Sequence, residues 1–315
     1  MAQKKKKNNA GRSSRSSQSL SGHLLKIIAG ALILAGLVAA AGLTALFLLP
    51  SEQSALRHKV PATGDKPQRP VYEIYPEEEP TEPPPATEPL ATSPLVAIII
   101  DDLGYDLPVA NSFLKLGEPL TFAILPFGPH SKKIAKAAHA RGNEVMLHLP
   151  MEPEGYPRVN PGPGVLLTSM TPDLLIRQLK KNLADVPHIS GVNNHMGSEL
   201  TKKSNRLYQI FSILKKEQLF FIDSRTTESS LCRPSAKLLH VPFAERNVFI
   251  DNSLTEQDVR RQLLLLLKTA EHRGAAIGIG HPHSITCRVL KKMLPEIKNR
   301  VRLVPASRLV RVIDS

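Results

Sequence analysis

The sequence predicts an α/β fold in which repeated strand–helix units build a parallel barrel or a doubly wound sheet. Three observations predict it. Short apolar runs recur along the chain: Ile98-Ile99-Ile100, Val145-Met146-Leu147, Gly191-Val192, Phe220-Phe221-Ile222 and Ile277-Gly278-Ile279. Continuous runs of this kind, bounded by turn residues, are what strands buried on both faces look like. Segments with helix-start and helix-stop residues lie between them. Each run also ends in a polar cluster, namely Asp101-Asp102, His148, Asn193-Asn194-His195, Asp223 and His281. In barrels of alternating strands and helices the carboxyl ends of the strands carry the active site. Polar clusters at that place on five segments point to an enzyme.

The elements follow in order. Residues 1–26 form a basic tail with Lys4 to Lys7, Arg12, Arg15 and Lys26. An uncharged apolar run, Ile27 to Leu49, comes next, and no acidic residue precedes Glu52. About 20 apolar residues span a bilayer, so the run reads as a transmembrane anchor. The basic flank would stay in the cytoplasm, which places the rest outside as a single-pass protein of the cytoplasmic (inner) membrane. A cleaved signal peptide at Ala39-Ala40-Ala41 is the competing reading, but such apolar regions are typically only about 7–15 residues. Residues 50–94, with Glu77-Glu78-Glu79 and Pro83-Pro84-Pro85, read as a disordered, extended linker.

Residues 95–315 are expected to fold as one domain. Leu95–Ile100 reads as a strand, Pro108–Leu116 as a helix and Leu120–Leu125 as a strand. His130–Arg141 reads as a helix ended by Gly142, and Glu144–Leu147 as the next strand. The Pro/Gly-rich stretch Pro153–Gly164 is a loop long enough to be functional. Thr171-Pro172 opens a helix running to about Asp185. Strand Gly191–Val192, helix Ser204–Lys216, strand Leu219–Ile222, helix Ser235–Leu239 and strand Val248–Ile250 follow. Thr255 and Asp258 cap the helix Glu256–Arg273, which Gly274 ends. Ala276–Ile279 and Val301–Leu303 are the last expected strands.

Composition narrows the function. The net charge is +13, and from Ala91 onward 30 Lys and Arg stand against 20 Asp and Glu. A basic domain attracts an acidic polymer or an anionic membrane surface. A domain outside the cytoplasmic membrane has no nucleic acid to bind. Cys232 and Cys287 are too few for a disulfide framework, and they form no CxxC pair. No phosphate-binding loop, dinucleotide fingerprint or Gly-x-Ser-x-Gly elbow occurs, which removes nucleotide-dependent and serine-hydrolase chemistry.

The polar clusters suggest a different chemistry. One carboxylate of Asp101-Asp102 can bind a metal while its neighbour acts as general base, provided the strand end twists to bring both to one side. His148 and His195 from two further strands, with one carboxylate, make a normal open catalytic zinc set. Asp223 can orient a histidine or accept a sugar hydroxyl, and Arg225 can steady an anionic transition state. His281 or His283 has the near-neutral pKa suited to protonating a leaving amine. Asp251-Asn252 reads only as a turn cap.

From about Val96 to Val310 these segments resemble the divergent polysaccharide deacetylase family, a branch of the polysaccharide deacetylase (NodB-homology) superfamily. The resemblance rests on IIIDDLGYD, FAILPFGPHS, GNEVMLHLPMEP, PGPGVLLTSMTP, GVNNHMGSELT, FFIDSRTT, FIDN, AIGIGHPH and RLVPASRL. It implies a distorted (β/α) barrel of about seven parallel strands. It makes Asp101 the general base, Asp102 a metal ligand and His281 the acid, with His283 in reserve. The superfamily expects two histidines four residues apart, whereas here Glu152 stands in the second place after His148. His195 is the preferred replacement ligand and Glu152 the reserve. Asn193, Asn194, Asp223, Arg225 and His283 would meet substrate. The implied activity is hydrolysis of N-acetyl groups on an envelope glycan, assisted by a divalent metal, with zinc the expected ion. The alternative is a catalytically silent glycan-binding or scaffolding domain on the same fold.

Overall fold

The structure, a computed structural model, describes residues 93–313. The expected basic tail, transmembrane anchor and linker lie outside the described residues apart from Ser93 and Pro94. Among the described residues no helix is long and apolar enough to cross a membrane.

The strands are β1 Leu95–Leu103, β2 Thr121–Ile124, β3 Glu144–Met151, β4 Ile189–Met196, β5 Phe220–Asp223, β6 Phe243–Glu245, β7 Val248–Phe249, β8 Ala275–Gly280 and β9 Arg302–Leu303. The helices are α1 Leu107–Leu114, α2 Ser131–His139, α3 Pro172–Asp185, α4 Ser204–Lys216, α5 Cys232–Leu239, α6 Glu256–Arg273 and α7 Ser284–Arg300. One parallel sheet runs β6-β5-β4-β3-β2-β1-β8-β7, with β9 added on β1. This eight-stranded curled path is a parallel half-barrel, consistent with the expected distorted barrel. Only Arg246 and Asn247 separate β6, which pairs with β5, from β7, which pairs with β8. A single extended stretch therefore leaves one end of the strand path and joins the other.

Strand geometry sorts the side chains between two cores. Ala97, Ile99, Ala123, Met146, Phe220, Ile222, Phe249, Ile277 and Ile279 form one buried cluster inside the curl. The alternate residues Ile98, Ile100, Leu147, Val192 and Phe221 pack outward with the helices, among them Leu179, Leu207, Leu263 and Leu290. The inner end opposite the polar clusters is capped by the chain's own last turn. Ala306 belongs to the inner cluster and donates its N–H to Thr121 Oγ1 at 3.0 Å. Ser307 N–H donates to Glu144 Oε2, which also accepts from Thr121.

Three differences from the sequence expectation have physical causes. The strands reach further than their apolar runs: β1 extends through Asp101 and Asp102, and β3 and β4 include His148 and His195. These polar residues thus sit within the ladder rather than beyond it. Helix α7 was not expected, because His283 offers no side-chain cap and Pro295 lies inside the helix. Strand β6 is only three residues long and gives too short a pattern to read.

Packing inside the curl depends on a glycine. A Cβ at Gly191 would stand 2.3 Å from the Phe220 ring. Gly191→Ala is expected to destabilise the domain by about 1–3 kcal/mol through overpacking, measured as a lower denaturant midpoint. An unchanged midpoint would show that the Phe220 ring yields without cost.

Candidate metal centre and active site

On β1, β3, β4, β7 and β8 the inner-facing register continues upward from apolar to polar. Ile99 is followed two residues later by Asp101, Met146 by His148, Gly191 by Asn193 and then His195, Phe249 by Asp251, and Ile279 by His281. The same alternation that builds the inner core therefore delivers these groups to one end of it. Asp102 is out of phase and joins them by another route. The β1–β2 register shifts between Ile100 and Leu103, and Asp102 takes φ +54°. A bulge of this kind re-aims side chains beside an active site. It is what allows two adjacent carboxylates to serve one site.

Asp102, His148 and His195 converge. Asp102 Oδ1 lies 2.9 Å from His195 Nδ1 and 3.1 Å from His148 Nε2, and the two nitrogens are 3.2 Å apart. All three residues are buried, and they are the group with metal-holding geometry among the described residues. Asp102 Oδ1 is enclosed yet makes no well-aligned hydrogen bond. Ligands about 2.05 Å from a tetrahedral zinc ion stand about 3.3 Å apart, close to the spacing here. The donor set, its spacing and the unsatisfied carboxylate oxygen fit a divalent cation. Three protein ligands would leave one position open.

The surrounding groups fix this arrangement. His148 Nδ1 is 2.9 Å from Asn193 Oδ1, which must accept from it. Asn193 Nδ2 donates to both oxygens of Asp101, at 2.8 and 3.0 Å. Burial opposes ionisation of Asp102, but His195 and His148 hold its carboxyl well below the usual range. Burial raises the pKa of Asp101, an effect that His148 and His281 only partly offset. His148 is raised: burial favours its neutral form, but Asp101 and Asp102 outweigh that.

On the other side of the pocket His281 Nδ1 lies 2.8 Å from Asp251 Oδ1. Asp251 Oδ2 accepts from His281 N–H and from Thr286 Oγ1, each at 2.7 Å, which locks the carboxylate. Burial disfavours the imidazolium, yet Asp251, with Asp102 and Asp101 behind it, pushes the pKa of His281 up to about 10. At neutral pH this histidine is a charged proton donor.

Of the residues expected from sequence, Asp101, Asp102, His148, Asn194, His195, His281 and His283 line one pocket. Three others do not. Asn193 is fully buried behind His148 and Asp101. Asp223 is out of phase with the inner residues Phe220 and Ile222. Its oxygens accept from Arg225 N–H at 2.8 Å and Ser230 Oγ at 2.6 Å, so it braces the loop after β5. Arg225 pairs with Glu245 at 3.7 Å and does not reach the pocket. Asn194 lines the wall, but its amide is engaged with Ser224 N–H at 2.9 Å and Met196 O at 2.8 Å. The reserve ligand Glu152 instead accepts from Thr168 N–H, away from the cluster.

Sequence reasoning missed Asp251 as the partner of His281, and also Ser224, Thr226, Phe249 and Leu254 on the pocket wall. Asp251 carried the same signal as the others, a carboxylate just after a buried strand. It also missed Arg246, whose guanidinium lies 3.7 Å from the Phe249 ring centre and donates to Ser224 O at 2.8 Å. Arg246 thereby ties two walls of the pocket across the β6–β7 seam. Cys232 and Cys287 are separate buried thiols.

Comparison with known proteins finds related sequences and a related fold. Residues 98–310 match the family model described as divergent polysaccharide deacetylase. The uncharacterized protein YibQ of Escherichia coli K12 is 34% identical over 215 residues, covering 68% of this chain and 67% of YibQ. An uncharacterized protein of Haemophilus influenzae is 32% identical over 217 residues, 69% of this chain and 76% of its own. A crystal structure of an uncharacterized protein from Agrobacterium tumefaciens C58 superposes with a TM-score of 0.67 at 27% identity, covering 70% of this chain and 90% of that one.

Proposed function

The chain belongs to the divergent polysaccharide deacetylase family, and we propose that it is a metal-dependent hydrolase that removes N-acetyl groups from a cell-envelope glycan. The observation that carries this reading is one pocket holding the Asp102–His148–His195 cluster, the Asp101 carboxylate and the His281–Asp251 pair. Asp102, His148 and His195 would hold the cation. A divalent cation bound there supplies Lewis acidity, activating water and polarising the acetyl carbonyl.

Asp101 takes the proton of the attacking water. Its raised pKa suits a general base, which works best when its pKa approaches the operating pH. Asn193 holds this carboxylate in place with two hydrogen bonds. His281, charged at neutral pH, gives a proton to the departing amine nitrogen as the carbon–nitrogen bond breaks. Because Nδ1 is engaged by Asp251, Nε2 is the nitrogen that donates. The products are acetate and a free amino sugar. Substrate in an envelope is in keeping with the basic flank and apolar run of residues 1–49, which read as a membrane anchor.

The test is acetate release from N-acetylated glycan oligomers by the metal-loaded protein. Activity that disappears on chelation and returns with zinc or another divalent ion supports the reading. Tight metal and glycan binding with no acetate released would favour the silent binding domain instead.

A further inference from the structure

Among the polar groups at this end of the domain Asn193 stands apart. It is fully buried, does not line the pocket, and touches both halves of the reactive machinery at once. Its Oδ1 faces His148 Nδ1 at 2.9 Å, and its Nδ2 faces the two oxygens of Asp101 at 2.8 and 3.0 Å and Ser224 Oγ at 3.3 Å. A carboxylate only accepts, so the amide nitrogen must point to Asp101 and the amide oxygen to His148. The orientation has a consequence for the ring. His148 must carry a proton on Nδ1, so Nε2, which faces Asp102 and His195, is the nitrogen that remains for a cation.

We propose that Asn193 is a positioning residue that couples the metal ligand His148 to the base Asp101, setting the tautomer of one and the placement of the other through a single amide. The inference rests on the metal-site reading above. The β4 register places the residue there: Asn193 pairs with His148 across β3–β4, and His195 follows it two positions later on the same face. One strand therefore supplies a metal ligand and the group that orients the other imidazole.

The two functions of the amide separate by substitution. Asn193→Asp keeps an acceptor for His148 Nδ1–H but sets an acceptor against the acceptors of Asp101. Asn193→Ala removes both contacts. Two readouts do not depend on catalysis: zinc affinity by competition with a chromophoric chelator, and the ¹⁵N shifts of His148 in zinc-loaded protein, which report the ring nitrogen that carries the proton. Asn193→Ala is expected to weaken zinc about 10–100-fold and to mix the His148 tautomers. Asn193→Asp is expected to keep zinc affinity within a few-fold of wild type and retain the Nδ1–H tautomer, while acetate release falls with KM unchanged.

Circular dichroism and thermal melts check that each variant is folded, and Asn193→Ser serves if Asn193→Ala is not. Wild-type affinity and a pure Nδ1–H tautomer in Asn193→Ala would overturn the proposal. So would equal loss of zinc in Asn193→Ala and Asn193→Asp, which would mean that an acceptor facing His148 Nδ1–H does not by itself hold the ligand in place. If the wild-type protein releases no acetate, the deacetylase reading fails, while the zinc and ¹⁵N results still decide the role of Asn193.

Discussion

Asp101→Asn is expected to keep the metal and lose the reaction. Asp101 lies outside the Asp102–His148–His195 cluster, and an amide of the same size can still accept from Asn193. What disappears is the ability to take a proton from water. General-base catalysis contributes about 10²–10⁴-fold, so turnover should fall by that factor while zinc content and KM stay near wild type. Steady-state kinetics beside metal analysis check it. A variant that loses zinc together with activity would show that Asp101 is a ligand and that the division of labour between the two carboxylates is wrong.

The second large effect concerns His281. His281→Gln removes the proton donor, and a loss of about 10²–10⁴-fold in turnover is expected. Asp251→Asn is subtler. Asp251 is the main group that pushes the His281 pKa up against burial, to about 10. Without that carboxylate the pKa should fall toward its ordinary value, and the alkaline limb of the activity profile should move to lower pH. The sign for stability follows from linkage. A histidine whose folded pKa lies above its unfolded value, about 6.5, stabilises the fold fully below that value. That contribution fades as pH rises toward 10 and is reduced in Asp251→Asn. Histidine NMR titration of the metal-free domain measures it directly. Equal His281 pKa values in wild type and Asp251→Asn would contradict the assignment.

The apolar runs made the strand positions legible, and the polar residues at their ends located the end of the fold that carries the candidate site. Phase was not legible. In Phe220-Phe221-Ile222 every residue is apolar, so nothing in the pattern says that Phe220 and Ile222 face inward and Asp223 outward. Asp223 lies outside the pocket lining for that reason. Arg225 is drawn from the pocket by Glu245, which sits on β6, a strand too short to be read.

Asp102 poses the opposite problem. Alternation alone would turn it away from Asp101, and the bulge with φ +54° that turns it back has no sequence signature. His195 in place of the missing second histidine followed from strand-end position, and the geometry sets it 2.9 Å from Asp102. Asp251 looked like a turn cap because its partner, His281, lies thirty residues away, just past the end of β8. Helix α7 was hidden by its own Pro295.

The central claim is that Asp102, His148 and His195 hold a divalent cation. The most direct test is metal content of the domain from about Thr92, purified without chelator, beside His148→Ala and His195→Ala. The account predicts near-stoichiometric zinc or another divalent metal in the wild-type protein and little in either variant. A folded wild-type domain that is empty as purified and stays empty on titration with zinc would contradict it.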